Sequence, residues 1–165
     1  MSNHVLKKMT TSKGVITIEK QSISGNAYIE FLTRTDLGSQ YPKERFVERI
    51  NKLVKNVQIS LLAKNENGTV VGTCFGLTDF AYWLMITDIA VDRDYSKNGI
   101  GTEMLKLSRE EAGGDKDIIV FINANEDAIQ FYEKNGYTKA DSMLELGDVE
   151  WTDFTVTKDD IPNNN

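Results

Sequence analysis

Ile100-Gly101-Thr102-Glu103-Met104-Leu105-Lys106-Leu107-Ser108-Arg109-Glu110-Glu111-Ala112, closed by Gly113-Gly114, is the stretch on which the fold of this chain turns. It reads as a helix, entered through a glycine turn at Gly99 and Gly101 and stopped by the glycine pair behind it. Before it lie an apolar run, Tyr82 to Val91, and a polar turn. After it comes Ile118 to Ile122, an unbroken apolar strand of the kind buried on both faces. Strand, helix, strand implies a parallel pair joined by a right-handed crossover, and with it an α/β domain.

Upstream, the connections are of another type. Val57 to Ala63 and Val70 to Leu77 are strand-like runs flanking Asn67-Gly68, a strong hairpin signal, and Tyr82 to Val91 completes an antiparallel meander. Pro42 can open a helix that carries Phe46, Val47, Ile50, Leu53 and Val54 at three- and four-residue steps. A shorter helix is expected over Asn26 to Leu32, and Thr33 to Tyr41, a polar connection containing Gly38, is placed to cover a site. Residues 1–13 read as a loose arm, followed by a short strand at Val15 to Glu19. Downstream, a helix over Glu126 to Asn135 stops at Gly136, with strands expected near Tyr137 to Leu146 and Trp151 to Thr157. Residues 14–158 thus form one α/β domain with a mixed sheet, and residues 159–165 are expected to be a disordered tail.

Composition narrows the function classes. The 165 residues carry a net charge of −6, with 40% hydrophobic and 27% charged side chains, which suits one soluble globular domain. A pI near 4.9 speaks against broad nucleic-acid binding. Cys74 and His4 are the only residues of their kinds, so neither a disulfide framework, a structural zinc site nor a Ser-His-Asp machine is expected. No apolar run approaches the roughly 18 residues of a membrane span, and the N-terminal segment lacks a signal-like core. No metal, no membrane and a cytoplasmic location are the expectations. Residues 1–140 hold 18 basic and 18 acidic side chains, and residues 141–165 hold 7 acidic ones against Lys158 alone. The charge excess therefore lies in the C-terminal segment.

Asn98-Gly99-Ile100-Gly101-Thr102 is the first chemically informative feature. Glycines let the backbone bend there and approach a ligand, and the unpaired amides of a helix start favour an anion such as a pyrophosphate. Glycines before helices also serve sterically. A dinucleotide fingerprint expects a small residue where Met104 stands, and no triphosphatase loop is present. The second motif is Asn125-Glu126-Asp127-Ala128-Ile129-Gln130-Phe131-Tyr132-Glu133-Lys134-Asn135-Gly136-Tyr137.

Together these motifs resemble those of the GNAT superfamily of N-acetyltransferases, which move an acyl group from acyl-CoA to an amine. The family's turn reads Arg/Gln-x-x-Gly-x-Gly/Ala, and its later helix Asn-x-x-Ala-x-x-Phe-Tyr-x-x-x-Gly-Phe/Tyr. The chain meets the second pattern at Asn125, Ala128, Phe131, Tyr132, Gly136 and Tyr137. It departs from the first at Ser96, beside which Lys97 offers a charge. The resemblance covers about residues 58–140. It implies a single-domain fold with a mixed central sheet splayed between two parallel strands and flanked by helices. It implies acetyl-CoA as co-substrate, held by Ile89, Ala90 and Val91 along the strand and by Ser96, Lys97, Asn98, Gly99, Ile100, Gly101 and Thr102 at the turn. Asn125, Ala128, Phe131 and Tyr132 complete that set.

Within this resemblance, Tyr132 matches the general acid that protonates the CoA thiolate, its bland alternative being packing beside Phe131. Asn125 matches a contact to the CoA arm, with a helix cap as the alternative. Asp88, an acid inside an apolar run, is the candidate base; a hydrogen-bonded structural carboxylate is the other reading, and Asp79 and Glu30 are weaker candidates. The Ile89 amide is implied as the oxyanion donor. Cys74 is read as a buried hydrophobe rather than a nucleophile. Tyr82 and Trp83, beside Phe80, are candidate lining of the acceptor pocket, with core packing as the alternative, and Glu145, Asp148, Glu150 and Asp153 could draw a cationic amine to it or form a solvated face. The acceptor is a small-molecule or protein amine, nucleic acid is not a partner, and a homodimer is a further expectation. A non-catalytic acyl-CoA-binding module and a dinucleotide-binding domain are the rival functions.

Overall fold

A computed structural model describes residues 4–147, 149 and 154–163. Six strands form one sheet in chain order: β1 (His4–Thr11), β2 (Gly14–Lys20), β3 (Ile59–Lys64), β4 (Val70–Thr78), β5 (Trp83–Val91) and β6 (Ile119–Ile122). Neighbours are antiparallel except β5 and β6, which run parallel. The crossover between them carries α3 (Ile100–Ala112), with the bounds expected from its flanking glycines. Between β2 and β3 lie α1 (Gly25–Leu32) and α2 (Phe46–Asn56), and α4 (Ile129–Lys134) follows β6. Among the described residues, no helix is long and apolar enough to cross a membrane.

The sheet separates two apolar layers. Ile59, Leu61 and Ala63 of β3 face α3, where Met104 and Leu105 complete one cluster. Leu62 faces the other way, into a cluster built from Tyr28, Phe31, Ile50 and Phe75. A strand buried on both sides reads as a continuous apolar run, as β3 does.

Four expectations are corrected. Residues 4–11 are not a loose arm but strand β1; a bulge at Leu6 breaks its alternation and so hides it from a period-two pattern. Pro42 lies in the loop before α2, which starts at Phe46 after a left-handed Arg45. Among the described residues β6 is an edge strand rather than a doubly buried one, and Ile119 is exposed. Residues 137–147 and 154–157 form no strand, and the remainder of the second expected strand, residues 151–153, lies outside the described residues. Leu144 and Leu146 stand almost wholly exposed.

The C-terminal segment is anchored as far as it is described. Val156 is buried and its amide donates to the Gly38 carbonyl at 2.9 Å. Thr157 and Asp160 then cap a 3-10 turn reciprocally, and Ile161 packs on the α1–α2 cluster.

Candidate active site

The site begins with a defect in β5. Phe75 of β4 pairs with Asp88 while the next residue, Gly76, pairs with Ile86, which leaves Thr87 as an extra residue in a bulge. Leu84 and Ile86, before the bulge, face the α3 cluster. Without the bulge, alternation would send Asp88 to that same face. The extra residue instead turns Asp88 and Ala90 towards the α1–α2 side, where Ala90 joins Phe75. Ile89, Val91 and Cys74 belong to the α3 face.

The same defect marks where the sheet opens. β5 and β6 pair from Trp83 with Ile119 to Ile86 with Ile122, and beyond that point β5 continues paired with β4 alone. The Asp92 amide reaches back to the Val71 carbonyl on β4 at 2.9 Å. Backbone groups alternate along a strand, so those of Ile89 and Val91 turn to the side that β6 has vacated. A cavity of about 250 Å³ lies there, bordered by Asp88, Ile89, Ala90 and Val91 on one side and Asn125, Ala128 and Tyr132 on the other.

The loop between α1 and α2 borders the cavity with Asp36, Leu37 and Gln40. It is tied down by Arg93, whose guanidinium donates to the Thr35 carbonyl at 2.8 Å and to Asp36 Oδ1 at 2.8 Å, and whose amide donates to the Arg34 carbonyl at 3.1 Å. Arg34 in turn pairs with the buried Asp92. The loop's last residue before Pro42 is Tyr41, whose hydroxyl donates to Asp88 Oδ1. Residues 33–41, expected to cover a site, thus border this cavity. Tyr41 itself carried no motif in the sequence, and only the fold brings it to a carboxylate 47 positions away.

Burial sets the protonation of the site. Asp88 is only 6% exposed. Burial pushes its carboxyl above the ordinary carboxylate range, and hydrogen bonds, led by that from Tyr41, offset part of the rise. Tyr132 packs edge-on against Phe131 and Tyr137, and burial pushes its phenol up to about 12. It therefore holds its proton at neutral pH. The Cys74 thiol is fully buried and pushed up to about 12 as well, which keeps it from acting as a nucleophile.

At the glycine turn, Lys97 and Gly99 adopt left-handed backbone angles, with φ of 61° and 79°. Asn98 braces the turn: its amide donates to the carbonyls of Tyr95 and Ser96, and its Oδ1 accepts from Ser12 Oγ at 2.7 Å. Ser96 Oγ donates to the Arg93 carbonyl at 2.9 Å, so that side chain shapes the turn and does not reach outward. The Ile100 side chain is buried in the core, leaving only its backbone for a ligand. A Cβ on Gly101 would lie 3.1 Å from the Phe131 ring, so glycine there lets α3 approach α4. Asn125 occupies the cap of the turn before α4 without making a capping side-chain bond. Thr102 borders a larger neighbouring cavity, which shares Ile122, Asn123, Ala124 and Tyr132 with the first.

The remaining candidates fall elsewhere. Asp79 is engaged by the amides of Ala81, Tyr82 and Trp83 at the exposed β4–β5 turn, and Glu30 pairs with Arg34 on the surface. Phe80, Tyr82 and Trp83 are exposed at the far end of β5 and do not border the β5–β6 gap, Trp83 stacking on Phe121. Glu145 borders the larger cavity, and Asp148, Glu150 and Asp153 lie outside the described residues. Among the described residues, no three His, Cys, Asp or Glu side chains gather to hold a metal ion.

The acetyltransferase (GNAT) domain profile matches residues 57–139, half of the chain. The chain belongs to the GNAT acetyltransferases. No curated protein sequence matches it. Solved structures do, at identities that speak for the GNAT fold alone. A protein from methicillin-resistant Staphylococcus aureus is similar at a TM-score of 0.65 and 15% identity, over 82% of this chain and 99% of that one. A GNAT-family acetyltransferase from Streptococcus pneumoniae is similar at 0.62 and 18%, over 81% and 99%. Glucosamine-6-phosphate N-acetyltransferase from Arabidopsis thaliana is similar at 0.57 and 19%, also over 81% and 99%. These likenesses cover a larger share of the chain than the family profile does.

Proposed function

We propose that this acetyltransferase moves the acetyl group of acetyl-CoA to a primary amine of a small molecule or a protein. The observation that carries the reading is the opened edge of β5, where free backbone groups of Ile89 and Val91 share one cavity with Asp88 and Tyr132. Acetyl-CoA supplies the thioester and a thiolate leaving group. Ile89 and Val91 would hold its arm as a neighbouring strand would, with the amides of Lys97 to Thr102 on the pyrophosphate and Asn125 and Ala128 on the opposite wall. The braced glycine turn and the gap in the sheet both fit such a molecule.

The residues then divide the proton work. Asp88 takes a proton from the acceptor ammonium, making the nitrogen nucleophilic. The Ile89 amide stabilises charge on the carbonyl oxygen. Tyr132 gives its proton to the departing thiolate and recovers one from the new amide nitrogen. Asp88 returns its proton to solvent, so one proton is released for each ammonium consumed.

Release of CoA thiol, measured with butylamine, putrescine, glucosamine and a lysine-containing peptide, tests this. Turnover with at least one amine is expected. Tight acetyl-CoA binding with no turnover on any amine would overturn the enzyme reading in favour of a binding module.

A further inference from the structure

We propose that Tyr41, backed by Tyr28, is a positioning residue that fixes the Asp88 carboxylate for the acceptor amine. This rests on Asp88 being the base. An ionised carboxylate can only accept hydrogen bonds, so the Tyr41 hydroxyl donates to Asp88 Oδ1. The Tyr41 oxygen, having given up its proton to that bond, accepts the bond from Tyr28 Oη, 2.8 Å away. The order of protons is thereby fixed as Tyr28 to Tyr41 to Asp88. Oδ1 is held by Tyr41 and the Thr87 hydroxyl also bonds to the carboxylate, whose remaining lone pairs are left for the amine.

Both rings are clamped. Tyr28 is fully buried with its ring 4.9 Å from that of Phe75, the residue paired with Asp88 across the sheet. Tyr41 packs against Phe46 at 5.9 Å. The three polar groups come from α1, the α1–α2 loop and β5, so the bond also joins the loop to the floor of the cavity. The titratable groups facing Asp88 are Tyr41 and Tyr28, with Cys74 on the neighbouring strand and Asp36 and Tyr132 on the same cavity. Among the described residues no Lys, Arg or His borders that cavity, and Asp36 is paired with Arg93. Phenol donors therefore do the work that a cation would otherwise do for a buried carboxylate.

The test uses the full chain with 13Cγ-labelled aspartate, the Asp88 signal being assigned with Asp88→Asn, together with the pH dependence of kcat/KM on the fastest amine of the panel above. In Tyr41→Phe, the Asp88 titration and the acid limb of the rate profile both move to higher pH. Turnover at neutral pH falls roughly ten- to a hundredfold, while the KM for acetyl-CoA changes less than twofold. Tyr28→Phe shows a smaller shift of the same sign, and it carries the test should Tyr41→Phe not fold. If Asp88→Asn abolishes the acid limb but neither phenylalanine variant moves it or the aspartate signal, the positioning role is wrong and the base reading stands. If Asp88→Asn keeps both limb and turnover, the base reading fails and this inference with it.

Discussion

Tyr132 and Asp88 show how burial does opposite chemical service to two acids on one cavity. The phenol, pushed up to about 12, is kept as a proton donor. The carboxyl, raised from a much lower starting point, is brought nearer to the pH at which it can accept a proton and later release it. Replacing Tyr132 by Phe should lower kcat by about a hundredfold or more and leave the KM for acetyl-CoA nearly unchanged; equal turnover in the variant would end its assignment as the acid. Asp88 also has a stability signature. Its carboxyl titrates at higher pH in the folded chain than unfolded, so the fold binds that proton more tightly, and stability is lost as pH rises through the folded value. Asp88→Asn should therefore melt at a higher temperature than the wild type at pH 7. That advantage should vanish below the ordinary carboxylate range, and melting curves at pH 7 and pH 3 check the sign.

At the scale of elements, the bulge at Thr87 both turns Asp88 to its face and coincides with the parting of β5 from β6. Deleting Thr87 keeps the pairing of Asp88 with Phe75 but removes the bend. The expected result is a folded protein, by circular dichroism, that is no longer stabilised by acetyl-CoA in thermal melting; undiminished stabilisation would show that the bulge is not what opens the edge. The sequence announces some of these elements and conceals others. Asn67-Gly68 marks the β3–β4 turn because Gly68 needs a positive φ of 79°, and the glycines around α3 fix both its ends. Tyr132 and Asn125 are legible through their motif. The bulge is not legible, since Leu84, Ile86, Asp88 and Ala90 follow an unbroken two-residue step in the sequence that only pairing with β4 reveals to be interrupted. Tyr41 is not legible either, because an aromatic residue before a proline in a polar loop says nothing about which strand will receive its hydroxyl. Apolar residues recur through 137–147, yet that segment pairs with no strand, and composition alone does not tell a strand from an extended loop.

The whole molecule is one sheet with an apolar layer on each face, and β5 borders both layers while giving up its outer partner halfway along. Residues 1–140 balance in charge, so the net charge of −6 lies in the segment beyond them. What β5 lacks in the middle of the sheet is protection. Amide protons in a central strand normally exchange with solvent only on global unfolding, yet those of Ile89 and Val91 face an open gap. In the free protein they should exchange at loop-like rates, beside the slow amides of β4, and acetyl-CoA should slow them by well over tenfold. Those two hydrogens are a clock placed inside the protein, running fast when the cleft is vacant and nearly stopped when a thioester's arm takes the place of a missing strand.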